Sequence, residues 1–436
     1  MKKYLFLLII PFAFAFVQDK DYKKMGSEVF DNIRNGHYEK VTARFDSILS
    51  MRIDTTRMRQ VWENLQKLAG PFVQVDSISE DHQEYYDVVI HHCQFEKRKI
   101  DLKLVFGKKD EIKGISFLPG EPRVRYQFPP YYKPEEYTER TLIIQNGPFR
   151  LPGLLTMPKA HGRHPVVVLI HGSGPNDKDE TVGPTKIFKD LSVGLAAKGV
   201  GVYRYEKRTR IYASVMSRDK NMTVNEESVE DAISAVNMLK SDSTVDTTAI
   251  FLCGHSLGAM LLPRIASQVP GIRGLIYLAP NGRPLEDLIV EQTKYLLSLD
   301  TTGVDPKPIL DSVMAEKQRI KDLKGIDEDT TYIFRIPRPY WLDLKTYDPI
   351  KSAAGLNLPM FLLLGGRDYQ VTEVDFNMWK EGLKGKSNTE FRIYPSLNHF
   401  FITGEGKSSP QEYGEVGNVE ETVINDISNW VSTVLK

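Results

Sequence analysis

The sequence predicts an α/β protein in which a domain built on a mostly parallel sheet follows a smaller α+β domain. Three observations predict this architecture. The 436 residues leave room for two or three domains. From about residue 135 onward, predicted strands and helices alternate along the chain. Residues 166–170 form an apolar run typical of a strand buried on both faces.

The first 18 residues have the pattern of a secretory signal peptide. Lys2 and Lys3 precede an apolar run from Tyr4 to Val17, and Ala13-Phe14-Ala15 supplies small residues for cleavage. This run is shorter than the ~20 residues that a membrane-spanning helix needs. We therefore expect an exported protein, periplasmic or secreted, without stable membrane insertion. The alternative is an uncleaved anchor or a buried first helix.

Charge and composition exclude several classes of partner and cofactor. Lys plus Arg and Asp plus Glu both number 57, so a net charge of zero gives no support to a nucleic-acid partner. Cys93 and Cys253 are far apart in sequence, and we expect two free, buried thiols. His91 and His92 are neighbours on a predicted strand, so they point to opposite faces and cannot share a metal ion. We expect no cofactor and no metal, and the oligomeric state stays open.

Residues 19–120 are predicted to form the small α+β domain. Apolar residues recur at helical spacing after the capping candidates Asp54 and Thr55, namely Met58, Val61, Trp62, Leu65 and Leu68. A half-buried strand is indicated by alternating apolar residues, namely Ile100, Leu102, Leu104 and Phe106. The proline-rich segment 119–134 is predicted to be a linker, or else an edge segment packed on the second domain.

Residues 121–436 are predicted to form the domain with the parallel sheet. Further strands are expected at residues 199–205, 249–253, 274–279, 360–364 and 391–394. Between about 284 and 345 lies a helix-rich insertion without strand signals, which we expect to form a cap over the carboxyl edge of the sheet. Four aromatic residues of this insertion could line an acyl pocket or simply pack together, namely Tyr332, Phe334, Tyr340 and Trp341.

One pentapeptide, Gly254-His255-Ser256-Leu257-Gly258, directly follows a predicted strand and opens a helix. This is the context of a nucleophile elbow, whose flanking glycines avoid Cβ clashes in a very tight turn. Ser256 is therefore the candidate nucleophile. A serine needs a base and an acid that orients the base, and after such an elbow the acid and then the histidine follow along the chain.

His399 is the candidate base, because it is the only histidine after Ser256. Asp368 is the candidate acid, since it lies in the loop that follows the strand at 360–364; Glu373 and Asp375 are the nearby competitors.

The negative oxygen that forms during acyl transfer needs backbone donors from two places. Leu257, the residue after the nucleophile, is the first candidate. The second should come from the glycine-rich loop 171–175, where we favour Ser173 and keep Gly172 and Gly174 as alternatives.

Four motifs together resemble the EstD-like bacterial carboxylesterases, which have the α/β-hydrolase fold. They are HGSGPND at 171–177, YEKR at 205–208, GHSLGAM at 254–260 and RPLED at 283–287. In that group a DUF3887-type domain, similar to cystatin/NTF2-like folds, often precedes the hydrolase. The resemblance covers about residues 25–436. It implies an α/β-hydrolase fold, the triad Ser256, Asp368 and His399, and carboxylic-ester hydrolysis. With the helix-rich insertion at about 284–345, the expected fold is an α/β-hydrolase with a helical cap. The group commonly has Asp-Lys-Arg-Gly where this chain has Glu206-Lys207-Arg208-Thr209.

The sequence thus predicts a serine carboxylesterase that hydrolyses short acyl esters through an acyl-enzyme, with a small-molecule ester as its substrate. The charged stretch Glu316 to Asp329 offers no apolar docking surface for long-chain lipids. The alternatives are a cap-type serine aminopeptidase or thioesterase on the same fold, or a noncatalytic carbohydrate- or lipid-binding module.

Overall fold

The computed structural model describes residues 21–82, 86–120, 126–299, 305–324 and 332–436, so the predicted signal peptide lies outside the described residues. The chain divides into two compact units, Met1–Arg123 and Val124–Lys436.

In the described part of the first unit, helices precede an antiparallel sheet, which confirms the predicted α+β domain. The helices are α1 (Tyr22–Arg34), α2 (Tyr38–Thr42), α3 (Ser47–Ser50) and α4 (Thr55–Ala69). The strands lie side by side in the order β1 (Phe72–His82), β2 (Tyr86–Phe95), β3 (Lys99–Gly107) and β4 (Ile112–Pro119).

Helix α4 is capped as predicted, but its buried stripe is narrower than the sequence pattern. The Asp54 carboxylate accepts the Arg57 amide at 2.7 Å. Met58 and Trp62 are buried, whereas Val61 and Leu68 are exposed to solvent. The indole of Trp62 fills the contact with the rest of the core, where it packs against Phe30, Phe95 and Phe117. Leu65 is half-buried against the same core, so the buried stripe of α4 consists of Met58, Trp62 and part of Leu65.

The second unit is built on a mixed sheet. Its strands are β5 (Tyr137–Asn146), β6 (Phe149–Pro158), β7 (His164–Ile170), β8 (Thr181–Val182), β9 (Thr185–Lys186), β10 (Gly201–Tyr205), β11 (Val245–His255), β12 (Ile272–Leu278), β13 (Tyr332–Ile333), β14 (Ile336–Pro337), β15 (Met360–Gly365) and β16 (Thr389–Tyr394). The main sheet runs β16-β15-β12-β11-β7-β10-β6-β5. Neighbours from β16 to β10 are parallel, which confirms the predicted α/β sheet. The antiparallel hairpin β5–β6 at one edge was not predicted.

Helices cover this sheet. They are α5 (Ile187–Ala196), α6 (Arg208–Ile211), α7 (Ala213–Met216), α8 (Glu230–Leu239), α9 (Leu257–Gln268), α10 (Leu285–Ser298), α11 (Lys307–Asp322), α12 (Arg338–Lys345), α13 (Pro349–Ala354), α14 (Glu373–Gly382) and α15 (Glu421–Leu435), with a π-helical turn at Asn225–Val229 and a 3₁₀ turn at Pro410–Gly414. Helix α15 buries the face predicted for it, including Val423, Ile427 and Val431.

The insertion between β12 and β15 contains α10, α11 and α12, but also the short hairpin β13–β14. The expectation that it lacks strands was therefore wrong. Two-residue strands are too short to show alternation, and Phe334 and Arg335 make the turn with positive φ although neither is glycine. Trp341 is fully buried in a small core inside this insertion, together with Ile320 and Ile333. Trp341 thus has the packing role rather than the pocket-lining one.

The end of the proline-rich segment packs on the second unit. The Tyr126 hydroxyl donates to Asp190 at 2.7 Å, and the Tyr131 hydroxyl donates to the Val419 carbonyl at 2.7 Å. From residue 126 onward the segment is therefore an edge element of the second unit, and β4 already extends to Pro119.

Both cysteines are buried and free. Within the ranges that the structure describes, every helix is too short or too polar to cross a bilayer.

Candidate active site

Ser256 lies in a strained turn between β11 and α9, at the carboxyl edge of the sheet. Its φ is 52° and its ψ is −118°, a conformation that residues with a Cβ seldom adopt. The flanking glycines are required by close backbone approach. A Cβ on Gly254 would lie 2.4 Å from the Gly258 carbonyl carbon, and one on Gly258 would lie 2.3 Å from the Ile170 oxygen. The turn therefore has the geometry of a nucleophile elbow.

His399 and Asp368 form a buried pair. The Nδ1 atom of His399 is 2.6 Å from Oδ2 of Asp368. Because a carboxylate only accepts, Nδ1 carries the hydrogen, which leaves Nε2 free to accept a proton. The other oxygen of Asp368 accepts the amides of Gln370 and Val371 at 2.7 and 3.0 Å. These bonds fix the carboxylate, and the carboxylate fixes the imidazole ring.

The competing acids lie elsewhere. Glu373 is exposed in the first turn of α14. Asp375 is fully buried, and it accepts the amides of Gly282 and Arg283 as well as the Arg283 guanidinium. Neither carboxylate pairs with His399 in the described part of the chain.

The glycine-rich loop after β7 lies beside Ser256. A Cβ on Gly172 would be 3.4 Å from the Ser256 Cβ. The Gly172 amide donates to Oε1 of Glu180 at 2.8 Å, so it is not available as an oxyanion donor. Among the described residues, no hydrogen bond engages the amides of Ser173 or Leu257. Of the favoured donor and its alternatives, Gly172 is thereby excluded.

A buried ion pair lies directly below the elbow. His255 Nδ1 is 3.2 Å from Glu180 Oε1, and its Nε2 is 3.1 Å from the His399 carbonyl oxygen. Both ring nitrogens face acceptors, so the ring carries two protons. Burial alone would lower the pKa of His255, but the Glu180 carboxylate outweighs it and raises that pKa. His255 thereby ties the loop of His399 to the loop of Glu180.

A second buried network holds the glycine-rich loop from its other side. Lys207 Nζ donates to the Gly172 carbonyl at 2.7 Å and to Oε1 of Glu227 at 2.5 Å. Oε2 of Glu227 accepts the hydroxyl of Tyr340, from the insertion, at 2.6 Å. Sequence reasoning identified Lys207 within a motif but missed Glu180 and Glu227. No spacing signal could have revealed them, because their partners come from distant loops.

A mostly apolar cavity of about 330 Å³ begins at Ser173. It is lined by Ser173, Gly174, Pro175, Thr209, Ala213, Met216, Ser217, Met222, Glu227, Leu285, Ile336 and Tyr340. Of the four aromatic residues predicted to line a pocket or pack, Tyr340 contributes to this cavity, and Tyr332 is 39% exposed. A larger groove of about 850 Å³ lies against Arg283 and Lys321. Neither cavity is lined by Ser256, His399 or Asp368, but the smaller one includes Ser173 of the loop beside Ser256.

Comparisons with known proteins identify the family of this chain. The family model described as "Serine aminopeptidase, S33" matches residues 163–406, and the one described as "Protein of unknown function (DUF3887)" matches residues 26–115. The Thermotoga maritima protein named Esterase EstD is 36% identical over 419 residues, which are 96% of this chain and 94% of the relative. The chain belongs to the EstD esterase family of α/β-hydrolases. This membership confirms the predicted α/β-hydrolase fold, the DUF3887-type domain and an esterase-family enzyme.

The chain is also similar, at low sequence identity, to several solved structures. Est1E from Butyrivibrio proteoclasticus is 16% identical, with a TM-score of 0.44 over 68% of this chain and 98% of that chain. A puromycin-hydrolyzing peptidase from Mycobacterium tuberculosis is 15% identical, with a TM-score of 0.45 over 83% of this chain and 48% of that chain.

Proposed function

We propose that this esterase-family protein is a serine carboxylesterase that works through an acyl-enzyme. The observation that carries the proposal is the 2.6 Å pair of His399 and Asp368, with the His399 ring 4.6 Å from that of His255, the residue before the strained elbow position Ser256. Ser256 Oγ attacks the ester carbonyl while His399 Nε2 takes its proton, and the same proton then leaves with the alcohol. A water molecule then gives a proton to His399 and attacks the acyl carbonyl. When the bond to Ser256 Oγ breaks, His399 returns that proton to Ser256 and the carboxylic acid is released.

The amides of Leu257 and Ser173 are the proposed donors to the oxyanion. The first belongs to the residue after the nucleophile and opens α9, and the second lies in the loop beside Ser256. Donors held in place before the reaction stabilise the negative charge only as it develops, which is why such sites accelerate acyl transfer.

Short acyl esters are the proposed substrates. The cavity at Ser173 is apolar and, at about 330 Å³, lies at the small end of ligand pockets. An aminopeptidase would need a carboxylate free to bind the substrate ammonium. Glu227 lines the cavity, but its charge is already balanced by the Lys207 ammonium, and its second oxygen accepts the Tyr340 hydroxyl.

The nucleophile is tested by Ser256→Ala, with Ser267→Ala as the control because Ser267 is exposed on the same helix α9. We expect Ser256→Ala to lower kcat for p-nitrophenyl butyrate by roughly 10⁴- to 10⁶-fold and to abolish labelling by a fluorophosphonate probe. The control should match the wild type in both measurements. Labelling that persists in Ser256→Ala would refute the proposed nucleophile.

The substrate class is tested by comparing acyl chain lengths and leaving groups. We expect acetyl to hexanoyl esters to be hydrolysed at least about tenfold better than dodecanoyl esters, and aminoacyl anilides to be hydrolysed poorly, because an amide nitrogen must be protonated before it leaves. Preference for aminoacyl anilides would support the aminopeptidase alternative, and preference for thioesters would support a thioesterase.

A further inference from the structure

We propose that Lys207 is a positioning residue for the oxyanion hole, because it holds and polarises the peptide between Gly172 and Ser173. This inference rests on the proposed esterase function, in which the Ser173 amide binds the developing negative charge.

The ammonium of Lys207 has a fixed position. Its side chain is 2% exposed, and Nζ lies between the Gly172 carbonyl at 2.7 Å and Glu227 Oε1 at 2.5 Å. Glu227 cannot move away, because Tyr340 donates to its second oxygen at 2.6 Å. The Lys207 ammonium is therefore held by a series of buried hydrogen bonds, through Glu227 to Tyr340 in α12 of the insertion.

Holding the Gly172 oxygen orients the Ser173 amide. The peptide unit is planar and trans, so its C=O and its N–H point in opposite directions. Lys207 donates to this oxygen at 2.7 Å, and the Asn176 side-chain amide donates to it more weakly at 3.2 Å. With the oxygen fixed on one side, the Ser173 N–H must point to the other side. The preceding peptide is fixed as well, since Glu180 accepts the Gly172 amide at 2.8 Å. The loop is thus clamped at both polar groups of Gly172.

The Lys207 ammonium also makes the Ser173 amide a stronger hydrogen-bond donor. A positive charge at a carbonyl oxygen draws electron density through the amide, which makes the N–H of the same peptide more positive. In a buried site little water screens this effect. Lys207 thereby assists the transition state, in which the oxyanion is charged, more than it assists binding of the neutral ester.

The test is Lys207→Met, which keeps the length of the side chain and removes its charge. We expect kcat for p-nitrophenyl butyrate to fall about 10- to 100-fold, less than the full loss of an oxyanion donor, with KM changed less than about threefold. The affinity for a trifluoromethyl ketone, whose adduct with Ser256 carries an oxyanion, should fall by the same factor as kcat/KM.

Lys207→Met leaves Glu227 buried without its cation, so the double variant Lys207→Met/Glu227→Gln is measured too, because its neutral amide can keep the bond from Tyr340. It should show the same loss of kcat with the thermal unfolding temperature closer to that of the wild type. The control is Lys178→Met, because Lys178 pairs with Glu206 at 3.0 Å and does not touch the Gly172 peptide. Its kcat should equal that of the wild type.

Two results would overturn the inference: a folded double variant with kcat within about threefold of the wild type, or one in which KM rises while kcat is unchanged. If Ser256→Ala were as active as the wild type, the proposed function itself would fail. If Ser256→Ala is inactive and the Lys207 variants are fully active, only the role of Lys207 fails.

Discussion

Two buried aspartates follow β15, and we expect Asp368 to be needed for catalysis and Asp375 for stability. In Asp368→Asn, the side-chain oxygen stays with the amides of Gln370 and Val371, so the NH₂ group faces His399 Nδ1 and donates to it. The imidazole then carries its hydrogen on Nε2, where it can no longer accept a proton. We expect kcat to fall on the order of 10⁴-fold. The fold should persist, because the remaining side-chain oxygen can still accept the amides of Gln370 and Val371.

Asp375→Asn should have the opposite signature. Asp375 accepts two amides at 3.0 Å and the Arg283 guanidinium at 2.6 Å, and its side chain is fully buried. Breaking a buried ion pair costs about 3–5 kcal/mol. Arg283 keeps a second partner in Glu291, so we expect the unfolding free energy to fall by about 3 kcal/mol, near the low end of that range. This corresponds to a loss of about 6–12 °C in Tm.

Both variants are assayed in the full chain, by hydrolysis of p-nitrophenyl butyrate and by thermal unfolding followed through tryptophan fluorescence. We expect an inactive, stable Asp368→Asn and an active, less stable Asp375→Asn. A stable Asp375→Asn protein that has lost more activity than Asp368→Asn would show that the acid has been assigned to the wrong residue.

Three further predictions concern pH, thiols and export. Burial lowers the pKa of His91 to about 4, so as the pH falls His91 takes up a proton in the unfolded chain before it does so in the folded one. The unfolding free energy should therefore be unaffected by His91 above about pH 6.5 and should fall by up to about 3 kcal/mol between about pH 6.5 and 4. His91→Phe should remove this decline, measured as hydrogen exchange of β2, and an unchanged profile would contradict it. Cys93 and Cys253 should not react with Ellman's reagent until the protein is denatured, because burial raises both thiol pKa values, that of Cys93 to about 12. Rapid reaction of the native protein would count against this. We expect the protein to be exported, with a soluble mature chain that begins near Phe16; an intact Met1 on membrane-bound protein would refute cleavage.

The features that the sequence predicted best are those determined by local chemistry. Residues 166–170 lie in the middle of the sheet and are all buried, which is why they form an unbroken apolar run. The glycines around Ser256 are equally local, since backbone atoms of Ile170 and Gly258 occupy the space that a side chain would need. Such constraints act on single positions and can be read without knowing the fold.

The hairpin β5–β6 escaped prediction although a signal for it was present. Asn146-Gly147 is a typical hairpin turn, and Gly147 has a φ of 53°. Pro152 and Gly153 inside β6 weaken the strand pattern in the sequence. Gly153 is needed there because a Cβ on it would meet Tyr203 and Arg204 at 2.5–2.7 Å.

The charged clusters could not be predicted for a different reason. Glu180 meets His255 across 75 residues of sequence, and Lys207 meets Glu227 through loops of irregular length. A charged residue in a loop is normally solvated, and only the assembled fold reveals that these four are buried.

The bonds made by residues 126–131 bear on how such proteins exchange modules. The Tyr126 hydroxyl donates to Asp190. Just before α15, the Val419 carbonyl accepts the Tyr131 hydroxyl, and the Asn418 side chain donates to the Gln127 carbonyl. A recombination point after Pro134 would remove the Tyr126 hydroxyl that donates to the buried Asp190 carboxylate. It would also remove the Tyr131 hydroxyl that binds the chain just before α15. The interchangeable unit of the hydrolase thus begins before Tyr126, inside the proline-rich segment rather than after it.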